Sequence, residues 1–152
     1  MLQEKKTYRP CVVAVFMNDQ GQVLIGHRSD FDHWQFPQGG IDEGESELEA
    51  LYREVKEEIG CAQFAVVKQS PELLRYDFPK DLHFKLTEKY LGQEQRWFLC
   101  KLKDNHHPDI NKASSHEFDR VSWCAPDFIL QEVVDWKLDV YKKGLSLLGI
   151  KY

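Results

Sequence analysis

The chain has 152 residues, with 20 Lys+Arg against 25 Asp+Glu and a formal charge of −5. Hydrophobic residues at 42% exclude wholesale disorder, and no apolar run is long enough to span a bilayer. The acidic balance excludes nucleic-acid binding by bulk charge, so any polyanion must be recognised locally.

In chain order, the first ten residues contain no apolar stretch of signal-peptide length, which leads us to expect a cytoplasmic protein. Residues 11 to 17 are a continuous apolar run, Asn18-Asp19-Gln20-Gly21 supplies turn chemistry, and Val23-Leu24-Ile25 begins a second run. The pattern predicts a β-hairpin. Ser46 to Gly60 is the clearest helix. Ser46 and Glu49 form a capping box, Gly60 is a C-terminal stop, and Leu48, Leu51, Tyr52, Val55 and Ile59 recur on one face. Further strands are expected at 64–69, 96–102 and 120–123, and helical spacing over 126–148, with Val133, Trp136, Val140 and Leu147 on one side. No repeat or linker interrupts the chain, so one domain over 1–152 is expected, of mixed sheet and helices. Cys11, Cys61, Cys100 and Cys124 lie far apart with no Cys-x-x-Cys, and read as reduced core thiols. His106, His107 and His116 lack zinc-site spacing.

At about 100° per residue, Glu54, Glu57 and Glu58 fall in an arc beside the apolar stripe. Like charges three and four apart oppose helix formation, so something must compensate. Two answers compete. Solvation, aided by Arg53 and Lys56, is one; divalent cations held by the carboxylates are the other.

The surroundings bear on that choice. Gly39, Glu45, Arg53, Glu54, Val55, Glu57, Glu58, Gly60 and Cys61 read G-x5-E-x7-R-E-U-x-E-E-x-G-U, with U a bulky apolar residue. This resembles the Nudix box, with Cys61 in its last apolar position. At about 0.06 per position from ordinary composition, the exact matches coincide by chance with probability on the order of 10⁻⁹. The resemblance implies an α+β fold, the Nudix α/β/α sandwich with a mixed β-sheet flanked by helices, in a hydrolase of phosphoanhydride bonds. It assigns metal binding to the Gly39 carbonyl, Glu54, Glu57 and Glu58, and makes Glu45 and Arg53 a supporting pair. Hard oxygen ligands select Mg²⁺, with Mn²⁺ as the substitute. Glu54 is the expected general base. Glu117, in Ser-Ser-His-Glu-Phe-Asp, is the rival base and a further metal ligand, because many members add an acidic residue from a later loop.

Tyr8-Arg9-Pro10, Trp34-Gln35-Phe36-Pro37-Gln38-Gly39-Gly40-Ile41, Leu74-Arg75-Tyr76, Gly92-Gln93-x-Gln95-x-Trp97-Phe98, Glu117-Phe118-Asp119 and Asp139-Val140-Tyr141 are similar to the bacterial RNA pyrophosphohydrolase family, and in part to dinucleoside polyphosphate hydrolases. By that resemblance Arg9, Arg28, Tyr76 and Lys137 contact phosphates or the first nucleotides of the substrate. At Trp136 the chain departs from the family, which carries a smaller aromatic beside the lysine. The implied activity removes pyrophosphate from 5′-triphosphorylated RNA and so promotes mRNA decay. Hydrolysis of diadenosine tetraphosphate is the alternative, and a nucleotide-sensing module without chemistry is the alternative of another class. The expected partner is the RNA or nucleotide substrate, with no membrane; a homodimer is compatible with the sequence but no pattern demands it.

Overall fold

The computed structural model describes residues 5–152. Met1 to Glu4, part of the stretch read for an export signal, lie outside the described residues. Strand β1 (Thr7–Phe16) is its organising element, because Cys11 to Phe16 are buried on both faces. Val12, Ala14 and Phe16 face one apolar core with Leu51, Val55 and Ile59; Val13 and Val15 face a second with Phe36, Trp97, Ile129 and Tyr141. A strand apolar on both faces needs cover on both, which gives the layered helix-sheet-helix arrangement.

Both edges of β1 are also occupied. β4 (Gln38–Gly40) pairs antiparallel on one side and β7 (Tyr90–Leu102) parallel on the other. The far edge of β7 carries β6 (Leu74–Asp77) along its first half and β5 (Phe64–Gln69) along its second. A separate antiparallel sheet joins β3 (Trp34–Gln35), β2 (Val23–Arg28) and β8 (Phe118–Cys124).

The hairpin expected from 11–17 and 23–25 does not form. The Asn18 turn does, with Gly21 at φ +73 donating to the Asn18 carbonyl at 3.1 Å, but one bridge, Met17 with Val23, is all that links the two runs. β4 pairs only with Cys11 to Val13 of β1, and β2 departs to the second sheet, where β3 and β8 take its two edges.

Helix α1 (Glu47–Ile59) starts and stops as its caps dictate: Ser46 Oγ accepts from Glu49 N at 3.1 Å, and Gly60 takes the left-handed conformation at φ 68. Its buried face is shifted from the expected stripe. Ala50 and Glu58 are buried, whereas Leu48 and Tyr52 lie exposed at the rim, Tyr52 stacking on Phe64 at 4.3 Å between centroids. The short α2 (Lys85–Lys89) precedes β7. The helical stretch expected over 126–148 is two helices, α3 (Pro126–Glu132) and α4 (Leu138–Leu147). Val133 and Val134 are extended between them, with ψ near 150 and 144, and a 3₁₀ turn over Asp135–Lys137 follows. Two consecutive β-branched residues are the weak point of the helical pattern, and the break turns Lys137 inward. All four cysteines are free, three of them buried.

Candidate active site

Three consecutive residues of β4 meet α1. Gln38 N donates to Glu58 Oε1 at 3.0 Å. Gly39 lies so close to the Glu54 carboxylate that a Cβ would overlap it. The Gly40 carbonyl accepts from Arg53 Nη2 at 2.9 Å. Arg53 also donates through Nε and Nη2 to Glu45 at 2.7 and 2.8 Å, and through Nη1 to Glu54 at 2.8 Å. The Arg53 guanidinium holds Glu45 well below the usual carboxylate range, at about 2. Through these bonds Arg53 ties Glu45 to Glu54.

Burial pushes the Glu54 carboxyl up, against the pull of Arg53. Glu58 departs from the expectation of an acidic face in solvent: it is 1% exposed, and burial together with Glu117 raises it well above the carboxylate range. Glu58 Oε2 is buried with no hydrogen-bond donor, and the nearby Glu117 carboxylate adds its own negative charge to that burial. Two carboxylates so placed are reconciled by a shared proton or a shared cation. Glu57 is half-exposed and reaches Arg53 Nη1 at 3.4 Å. Among the described residues no three Asp, Glu, His or Cys side chains gather tightly enough to enclose an ion by themselves. The orphaned Glu58 oxygen, the neighbouring carboxylates and a close backbone at Gly39 nonetheless fit a hard divalent ion that draws remaining ligands from water and substrate oxygens.

Arg9, Arg28, Tyr76 and Lys137 line a single cavity of about 510 Å³ together with Gly39, Glu54 and Glu117. Strand β1 brings Arg9, whose guanidinium packs across Gly40; β6 brings Tyr76, and the break after α3 brings Lys137. Lys137 is 4% exposed and donates to Gln35 Oε1 at 3.3 Å. Burial, then Arg28, lowers it to about 8. His33, which also lines the cavity, is lowered to about 4 by burial and then by Lys137 and Arg28. Burial, with the neighbouring cationic charge second, disfavours a positive charge on both groups, and a bound anion would oppose that effect.

The structure adds residues that sequence reasoning passed over. Asp30 grips Arg28 with two hydrogen bonds, 2.8 and 2.6 Å, and the guanidinium lies 5.7 Å from the Phe31 ring. Phe78, Leu82, Phe84 and Leu86 make the apolar end of the cavity, next to Trp136, whose ring sits 5.5 Å from that of Tyr76. Trp136 packs against the core and also faces the cavity. The acid two residues beyond Arg28 was the available signal for Asp30; the apolar end had none, because Phe78 to Leu86 carry no clean periodicity.

Acidic loop-helix and basic wall together are the arrangement of a phosphoanhydride-cleaving enzyme, and comparison with known proteins agrees. The NUDIX domain matches residues 7–143, and the chain belongs to the Nudix family of hydrolases. Curated relatives within it are named RNA pyrophosphohydrolase. That of Wolbachia pipientis subsp. Culex pipiens (strain wPip) is 41% identical over 150 residues, covering 96% of this chain and 92% of the relative. That of Helicobacter pylori (strain P12) is 41% identical over 146 residues, covering 93% of each. A solved NUDIX hydrolase from Nitrosomonas europaea superposes with a TM-score of 0.71 over 96% of this chain and 93% of its own, at 17% identity. At that identity it speaks for the fold alone. Nudix hydrolases generally need divalent metal ions. Among the described residues no helix is long and apolar enough to cross a membrane.

Proposed function

We propose that this chain is a Mg²⁺-dependent RNA pyrophosphohydrolase, with Mn²⁺ as a substitute metal, removing pyrophosphate from the 5′-triphosphate end of RNA to leave a 5′-monophosphate and so promote mRNA decay. The observation that carries the reading is one cavity lined by Glu54 and Glu117 together with Arg9, Arg28 and Lys137, in a chain about 40% identical to RNA pyrophosphohydrolases along most of its length. A triphosphate in a cavity lined by both signs of charge needs divalent cations to offset the carboxylates, while guanidinium and ammonium groups pair with its remaining oxygens.

Glu54, Glu57, Glu58, Glu117 and the Gly39 carbonyl would hold the divalent metal, which when bound acidifies water and neutralises charge on the departing pyrophosphate. Glu54 takes the proton of the attacking water, since Arg53 holds it in place while burial raises its affinity for a proton. The water oxygen bonds to phosphorus as the phosphorus–oxygen bond to the pyrophosphate breaks. Arg9 and Lys137 bind phosphate oxygens. Tyr76 borders the first nucleotide, and Arg28, its edge held by Asp30, offers a guanidinium plane to a base. The whole chain acts as one domain in the cytoplasm, a setting in which four free thiols stay reduced; a homodimer is compatible with this and is not required by it.

The test is relative kcat/KM on triphosphorylated RNA and diadenosine tetraphosphate under one set of conditions. RNA should be preferred. Faster cleavage of diadenosine tetraphosphate would make the chain a dinucleoside polyphosphate hydrolase, and nucleotide binding with no turnover of either would make it a sensor.

A further inference from the structure

Beside the active-site cavity lies a second depression, of about 660 Å³, lined by Lys5, Lys6, Arg9, Lys85, Lys89 and Glu88, with Leu86 and Tyr90. It holds five cations and one carboxylate, in a chain whose net charge is −5. Arg9, Lys85 and Leu86 line both depressions, so the two are neighbours with only these side chains between them. Its walls are the start of β1 and the short α2, laced by Lys6 Nζ donating to the Thr87 carbonyl at 2.8 Å. Lys89 holds its ammonium 5.3 Å from the Tyr90 ring centroid.

We propose that this groove is a binding track for the RNA backbone downstream of the first nucleotides, so that the enzyme favours 5′-triphosphorylated chains long enough to reach it. The proposal rests on the RNA reading above. Clustered cations repel one another, and a run of phosphates spaced along a strand relieves that repulsion as a single small anion does not. A free nucleotide or dinucleoside polyphosphate carries a small, fixed number of phosphates; only RNA carries a further negative charge with every added nucleotide. An acidic protein surface would also suit the charge, but the groove shares Arg9, Lys85 and Leu86 with the cavity proposed to receive the triphosphate, which favours the same molecule continuing past them.

The experiment compares kcat/KM on a triphosphorylated dinucleotide and a triphosphorylated single-stranded 12-mer, for wild type and for the Lys5→Glu/Lys89→Glu double variant. Both lysines are exposed and neither lines the active-site cavity. Wild type should favour the 12-mer roughly tenfold. The variant should lose about 3–10-fold on the 12-mer and less than about twofold on the dinucleotide. Each lysine that neutralises a phosphate of a single strand adds roughly 0.7 to the salt slope, so the 12-mer's slope should flatten by at least about 1.4. The Lys5→Gln/Lys89→Gln variant should show the same pattern at smaller size, and replaces the double Glu variant if that one unfolds. Equal wild-type rates on both RNAs, with the RNA activity itself intact, would overturn the track alone and leave the groove to a partner such as an acidic protein. Equal losses on both substrates would also overturn it. Cleavage of diadenosine tetraphosphate with no turnover of either RNA would refute the proposed function and the track with it.

Discussion

Replacing Glu58 by Gln separates metal binding from folding more cleanly than any other change at this site. In the wild type one oxygen accepts from Gln38 N, while the other is buried without a donor, with the Glu117 carboxylate nearby. Glutamine keeps the first bond and places an amide where the orphaned oxygen was, able to donate to Glu117. Leaving a buried polar atom unpaired costs about 1–3 kcal/mol. The metal-free variant should therefore be more stable than metal-free wild type by up to that amount. For a chain of this length each kcal/mol moves Tm by about 2–4 °C. Thermal melts in chelator and in excess Mg²⁺ read both effects: Glu58→Gln should melt higher in chelator and gain less from Mg²⁺, while kcat falls by orders of magnitude. Glu57→Gln, at a half-exposed carboxylate, should leave the chelator melt within about 0.5 kcal/mol of wild type. A fall of the Glu58→Gln melt in chelator, or equal Mg²⁺ stabilisation of variant and wild type, refutes the reasoning.

Glu54→Gln should depress kcat severely at every pH, whereas Glu117→Gln should leave it within about tenfold; a flattened acid limb of the pH–rate profile in the Glu117 variant would instead make Glu117 the base. Arg28→Ala should cost roughly 1–3 kcal/mol in kcat/KM on triphosphorylated RNA and far less on a free nucleoside triphosphate. Asp30→Ala should cost less and add little to Arg28→Ala in a double-mutant cycle, and full additivity would separate the two residues. His27 is raised by its bond to Asp32 at 2.7 Å, joined by Asp119 at 3.0 Å. Its contribution to stability is fully present below its unfolded value near 6.5 and is lost as pH rises through the raised folded value. The Tm gap between wild type and His27→Gln should therefore narrow from about pH 6 towards pH 9, and a gap independent of pH would exclude a charged His27.

Some of this was written locally in the chain and some was not. The caps of α1 and the Gly39 to Cys61 spacing are short-range signals, and the structure keeps them. β4 has no local signal, since Gln-Gly-Gly has little strand propensity and extends only because an edge of β1 is open to it. The first half of β7 was hidden because it reads as polar. Gln93 and Gln95 are buried in a ladder in which Trp97 Nε1 donates to Gln95 Oε1 at 2.9 Å, and Gln95 Nε2 to Gln93 Oε1 at 2.9 Å and Gln38 Oε1 at 3.2 Å. The convergence of Arg9, Arg28, Tyr76 and Lys137 on one cavity was legible only through resemblance, because no spacing relates residues drawn from four separate elements.

The three contacts between β4 and α1 also bear on how the chain avoids folding wrongly. β4 is short and weakly cohesive, the kind of strand whose register slips easily. Cys11, Val12 and Val13 of β1 oppose Gly40, Gly39 and Gln38 in turn. A slip of one residue would carry Gln38 or Gly40 into the place of Gly39. A glutamine there would drive its Cβ into the Glu54 carboxylate, and a slip in the other direction would move the Gly40 carbonyl away from Arg53. The carboxylates of the active site thus act as a checking template for strand pairing. Loosening them by substitution should release misregistered, inactive chains alongside correctly paired ones, even where the average stability is unchanged.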